Sequence, residues 1–210
     1  NALLVEDDPY NDLRYNGEAV PAIHSFAPDH VVYLGSFSKV FAPGVRVGYA
    51  VAPESVQSWM VLAKQGTDLH TSTFNQALCA EYVTSGEMER QIPKIVELYR
   101  PRHAAMLASL EKYFPSWMNW SKPEGGMFIW AEATTDLDLV SLYKIAVSRN
   151  VAYVPGTFFY AEPDTGRGTM RLNFTMNDEE RIDHAIRSLG EVLTQGHEAG
   201  AEMTVAGRQD

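Results

Sequence analysis

The densest chemistry in this chain lies in Ser36-Phe37-Ser38-Lys39-Val40-Phe41-Ala42-Pro43-Gly44-Val45-Arg46-Val47-Gly48. A lysine between small hydroxyl residues is badly placed for a surface. An arginine inside Val-Arg-Val-Gly-Tyr is badly placed for a core. Both are well placed if an anionic, carbonyl-bearing molecule sits between them. A lysine amine whose surroundings lower its pKa attacks carbonyls and forms a Schiff base. Ser36 and Ser38 offer hydroxyl donors, and Arg46 is a permanent cation able to clamp a phosphate with two parallel bonds. The plain alternatives are a solvated loop lysine and an edge-strand arginine snorkelling to water.

Two further groups join this motif. Asp7-Asp8-Pro9-Tyr10 alone reads as a turn. At the same sheet edge as Lys39, Asp7 could hold a ring nitrogen protonated and Tyr10 could bond a ring oxygen. Alternation along Thr169–Phe174 puts Met170, Leu172 and Phe174 on one face and Arg171 with Asn173 on the other. Arg171 is then either part of a polar outer face or a fork for a substrate carboxylate. The single cysteine, Cys79, sits in a helical pattern and reads as a buried, inert thiol.

Short apolar runs between turn signals must position these residues. Ala2–Val5, His30–Gly35 and Val45–Ala52 read as strands, the first buried on both faces. Helices are expected from Pro53 to Lys64, from Ser72 to Thr84, and from Gly86 to Phe114, with a kink or break at Pro101. The remainder reads β-α-β-β-α: strands at Gly126–Ala131, Val151–Val154 and Thr169–Phe174, helices at Asp138–Asn150 and Asp178–Leu193. The boundary falls near Pro101. It divides the chain into 1–100, 101–194 and a loose tail at 195–210.

The 210 residues are 45% hydrophobic and 21% charged, an ordinary globular composition. A net charge of -10 argues against a nucleic-acid or anionic-membrane surface in this region, but not against a small basic pocket. No apolar stretch reaches bilayer-spanning length. Sparse cysteine points to a reducing, cytoplasmic compartment. The chain opens at Asn1 directly into an apolar run, so an amino-terminal part is expected to be missing.

Together these residues resemble the class I/II aminotransferases, pyridoxal-phosphate enzymes of fold type I. The pattern S-x-S-K-x-x-x-P-G-x-R-x-G is matched throughout, with D-x-x-Y upstream and Met170-Arg171-Leu172-Asn173-Phe174 downstream. Glu124–Phe128 and Val154–Phe159 are similar to loops of that family's small domain. The resemblance runs from residue 1 to about 193. It is closest to the branch of 2-aminoadipate, kynurenine and aromatic aminotransferases, which also supplies the effector domain of MocR-type regulators.

The resemblance implies an α/β fold: part of a mostly parallel large-domain sheet plus a small α+β domain. It implies that Lys39 forms the internal aldimine with pyridoxal 5'-phosphate and serves as the proton-moving base. Ser36, Ser38 and Arg46 would hold the phosphate, Asp7 the pyridinium nitrogen, and Tyr10 the ring hydroxyl. Arg171 would bind the α-carboxylate. No metal is called for. The substrates would be an L-amino acid and a 2-oxo acid, and the full-length form would be a homodimer. His70–Gln76 resembles a segment that reaches the partner subunit's active site. Family members are about twice this long, so this chain alone would be an incomplete active site. It lacks a candidate for the phosphate-binding glycine turn and for the ring-stacking aromatic residue. Two alternatives stay open: the effector domain of a transcription regulator, and a lyase or decarboxylase using the same cofactor.

Overall fold

The computed structural model describes the backbone of residues 2–206 and the side chains of residues 2–199. It divides into two compact units, residues 1–97 with 124–126, and residues 98–123 with 127–210.

The first unit is built on a three-stranded sheet. Strand β1 (Leu4–Asp7) pairs in parallel with β2 (Val31–Ser36), and β3 (Gly48–Val51) pairs antiparallel to β2. Helices α1 (Glu54–Thr67) and α2 (Thr73–Thr84) follow. Ser72 caps α2 by accepting from the Asn75 N–H. Val31, Val32, Val40, Val47 and Cys79 are buried here, and burial pushes the Cys79 thiol up. β1 corrects the reading of a strand buried on both faces. Among the described residues β2 is its one ladder partner, and Leu3, Leu4 and Val5 are 51%, 43% and 59% exposed.

Residues 124–126 lie with this unit. Tyr15 N–H donates to the Glu124 carbonyl at 2.7 Å and Gly126 N–H to the Leu13 carbonyl at 2.7 Å. Arg14 pairs with Glu124, and the Tyr15 hydroxyl donates to the Gly126 carbonyl. Glycine is required at both positions. A Cβ at Gly125 would stand 2.5 Å from the Leu13 carbonyl oxygen, and Gly126 has φ +80°.

Helix α3 (Glu87–Tyr113) continues unbroken through Pro93 and Pro101. No break occurs at Pro101 because its ring and Glu97, whose carbonyl loses its donor, both face solvent, where water can take the bond.

The second unit packs helices on an antiparallel sheet of order β4-β5-β7-β6. The strands are β4 (Met118–Trp120), β5 (Phe128–Ala133), β6 (Val154–Pro155) and β7 (Thr169–Asn173). Its helices besides the end of α3 are α4 (Leu139–Ser148) and α5 (Glu179–Ala206). Ile129, Met170, Leu172, Phe174, Ile186 and Leu189 form the centre of its core. Three differences from the sequence reading appear. β4 is additional, a three-residue strand too short to show a period. The expected strand at Val151–Val154 shrinks to Val154–Pro155, and Val151 and Tyr153 are buried without joining the ladder. α5 continues past Leu193 to Ala206, because Glu198, Ala199, Ala201, Glu202 and Met203 are strong helix formers even without an apolar stripe. The rest of the expected tail, residues 207–210, lies outside the described residues.

Candidate active site

The sequence places its chemistry where the parallel pair β1–β2 ends. Ligands of open α/β sheets bind outside the carboxyl ends of strands. Asp7 is the last residue of β1, opposite Leu34 in the ladder, and the Asp8 N–H extends the pairing by donating to the Leu34 carbonyl at 2.9 Å. Ser36 is the last residue of β2, opposite Gly48. The chain then coils through a tight turn: Phe41 N–H and Ala42 N–H both donate to the Phe37 carbonyl, at 2.9 and 3.1 Å. Ser38 N–H donates to Ser36 Oγ at 3.1 Å, drawing the two serines together. Lys39 projects from this turn with its Nζ 5.8 Å from the centre of the Tyr10 ring. The structure therefore brings Tyr10 and Lys39 together, with Ser36 and Ser38 in the same turn and Asp7 at the adjoining strand end.

Several polar groups here have capacity to spare. Among the described residues the Lys39 ammonium and the Asp7 carboxylate make no hydrogen bond or ion pair. Arg46 makes one side-chain bond, from Nη1 to the Pro43 carbonyl at 3.3 Å, and is otherwise exposed. Arg46 is not in a strand, which corrects the reading of Val45–Ala52. It follows the 3-10 turn Pro43–Val45 in the left-handed conformation, φ 53° and ψ 41°, and β3 begins at Gly48. A non-glycine residue there costs about 1–2 kcal/mol, so the surrounding contacts must hold it.

Those contacts come from α2. Asn75 Nδ2 donates to the Val45 carbonyl at 2.9 Å, Tyr82 Oη donates to the Val40 carbonyl at 2.8 Å, and the Tyr82 and Phe41 rings stack at 4.2 Å. Sequence reasoning placed Asn75 in the His70–Gln76 segment but gave neither residue this supporting role. The available signal was their spacing: seven apart, they share one face of α2. Beside the same strands, a cavity of about 370 Å³ is lined by Asp8, Asp12, Tyr33, Ser36 and Tyr49 among others. Burial and the neighbouring Asp8 push the Asp12 carboxyl up, and burial pushes both phenols up.

Arg171 belongs to the second unit. β7 alternates as the sequence implies, with Met170 and Leu172 buried and Arg171 half-buried on the other face. The guanidinium carbon lies over the Phe128 ring at 3.9 Å and the Phe159 ring at 4.5 Å. Its Nε is buried without a hydrogen-bond partner. Among the described residues the Arg171 side chain makes no hydrogen bond or ion pair. Among the described residues no group of three or more His, Cys, Asp or Glu side chains is placed to hold a metal ion.

Comparison with known proteins decides the family. The model of "Aminotransferase class I and II" matches residues 1–189. The chain belongs to the class I and II aminotransferase family. It is 44% identical over 194 residues to aromatic-amino-acid aminotransferase 1 of Thermococcus litoralis, covering 92% of this chain and 46% of that protein. The crystal structure of LysN, the α-aminoadipate aminotransferase of Thermus thermophilus complexed with N-(5'-phosphopyridoxyl)-L-leucine, is 37% identical. It superposes with a TM-score of 0.88, over 94% of this chain and 51% of that one. The uncharacterised HTH-type transcriptional regulator YdfD of Bacillus subtilis is 28% identical over 193 residues, covering 91% of this chain and 39% of that protein. The aminotransferase-family chain thus spans about half the length of the curated relatives it matches. Its α/β fold is that of the fold type I pyridoxal-phosphate aminotransferases. No helix among its described residues is long and apolar enough to cross a membrane.

Proposed function

We propose that this chain carries the cofactor-anchoring and carboxylate-binding residues of a pyridoxal-phosphate-dependent aminotransferase. The enzyme would move an amino group from an L-amino acid to a 2-oxo acid. The observation that carries the reading is the unpaired Lys39 amine, 5.8 Å from the Tyr10 ring, in a serine-bearing turn at the end of β2. The residues suit the cofactor: an amine for its aldehyde, a free carboxylate at the neighbouring strand end, and serine hydroxyls and a guanidinium with open donors.

Pyridoxal phosphate, when bound, supplies the aldehyde that accepts the amino group and the ring that takes up the electron pair left at Cα. Lys39 would hold it through its amine and, as general base and then acid, would move the proton at the substrate Cα. Asp7 keeps the ring nitrogen protonated and so preserves the ring's capacity for electrons. Tyr10 donates to the ring oxygen. Ser36, Ser38 and Arg46 bind the phosphate, Arg46 with a charge-assisted fork. Arg171 holds the substrate α-carboxylate. The working form is a homodimer in which His70–Gln76 reaches the partner's site, and the single buried cysteine suits a cytoplasmic enzyme.

Mixing the cofactor-loaded protein that carries this chain with a panel of amino acids tests this. Transamination predicts bleaching of the visible band with release of a keto acid, both lost in Lys39→Ala. Ammonia or carbon dioxide release instead would indicate a lyase or decarboxylase. A band that no amino acid bleaches would favour the regulator reading, which the similarity to YdfD supports.

A further inference from the structure

The reading of Arg171 as the carboxylate-binding group leaves its surroundings unexplained. A half-buried cation with an unpartnered, buried Nε is costly unless something compensates it. In this unit the compensation is aromatic. The guanidinium carbon lies 3.9 Å from the centre of the Phe128 ring and 4.5 Å from that of Phe159. Both distances fall inside the range where a ring face attracts a cation.

The two rings come from different elements, and each is fixed. Phe128 opens β5 opposite Asn173, two ladder positions from the Trp130–Arg171 pair. Phe159 ends the 3-10 turn Gly156–Phe159, and Trp130 packs edge-on against it at 5.5 Å. The turn is pressed onto the strand that carries Arg171. A Cβ at Gly156 would meet Thr169 Oγ1 at 1.7 Å, so nothing larger than glycine fits there. Phe159 nevertheless remains 45% exposed, which is a poor use of a ring whose purpose is to fill a core.

We propose that Phe128 and Phe159 are positioning residues for Arg171. Resting on the carboxylate-binding role of Arg171, the proposal assigns the rings three tasks. They compensate the cation without occupying any of its N–H donors. They shield it from water. They restrict rotation of the guanidinium, so that its free N–H edge is already set for a carboxylate. An aliphatic side chain of similar volume would supply the shielding but neither the attraction nor the fixed plane.

The test uses the full protein that carries this chain, saturated with pyridoxal phosphate, and 3-phenylpropionate as a non-reacting carboxylate. Calorimetric titration of Phe159→Leu should show Kd raised roughly threefold to thirtyfold, the range expected for one lost cation–π contact. KM for the amino acid should rise in step while kcat stays within about twofold of wild type, as for lost uniform binding. Phe159→Tyr, which keeps the ring face, should restore both values, and Phe128→Leu should reproduce the split. Unchanged Kd in both leucine variants, with binding lost in Arg171→Met, would overturn the positioning role and leave the carboxylate reading intact. Wild-type binding in Arg171→Met would overturn both. A kcat loss with unchanged KM in Phe159→Leu would also contradict positioning.

Discussion

Arg46 illustrates how much a single residue is asked to do. It occupies a left-handed backbone position that most sequences give to glycine, and its side chain is tied by one bond to the Pro43 carbonyl. A residue kept there against its conformational preference has work to do through its side chain. The phosphate binding proposed for Arg46 would provide that work. Replacing Arg46 by Ala should weaken pyridoxal phosphate binding by roughly tenfold to a hundredfold, the span of a lost charged hydrogen bond. Arg46→Lys should recover little of it, since a point charge lacks the two-pronged geometry. Absorbance titration with the cofactor checks both. Equal binding by the Arg46→Ala variant would remove Arg46 from the phosphate site.

At the scale of elements, local chemistry sets boundaries that hydrophobic patterns leave blurred. Asp138 caps α4 by accepting from the Val140 and Ser141 N–H groups and the Ser141 hydroxyl, and it pairs with Arg167. Burial pushes its carboxyl up, but the bonds from Ser141 and Arg167 outweigh this and hold it below its ordinary value. A depressed folded-state pKa gives stability that is full above the unfolded value and lost as pH falls through the folded one. Asp138→Ala should therefore cost about 1 kcal/mol near neutral pH. The gap from wild type should narrow below about pH 4, near the unfolded carboxyl value. Denaturant titrations at neutral and acid pH measure both. The same logic explains what the sequence revealed. Strands β2 and β7 and helices α1 to α4 were legible because their periodicity or caps are strong. So was the motif from Ser36 to Gly48, whose residue types are improbable without a ligand. The left-handed turn at Arg46 was not legible, since a short apolar run around it mimics a strand. Nor were the roles of Phe128 and Phe159, because ring stacking on a cation brings together residues 12 to 43 positions from Arg171 and leaves no local pattern.

For the molecule as a whole, the first unit leaves large apolar side chains uncovered. Trp59 is 70% exposed and Phe74 75%, alongside the apolar residues of β1. Surfaces of this kind mark interaction sites, and an unpaired strand edge adds to the tendency. The 210-residue chain alone is expected to self-associate at micromolar concentration, with sedimentation velocity showing dimers or larger species. A stable monomer would mean that these faces tolerate water.

Lys39 is the residue on which the proposed activity depends. The most direct test is to load the protein that carries this chain with pyridoxal phosphate, reduce it with borohydride, and map the labelled peptide by mass spectrometry. The prediction is a phosphopyridoxyl group on Lys39, stoichiometric and absent from Lys39→Ala. Label on Lys64, Lys94 or another lysine, or no label at all, would contradict the assignment and the function built on it.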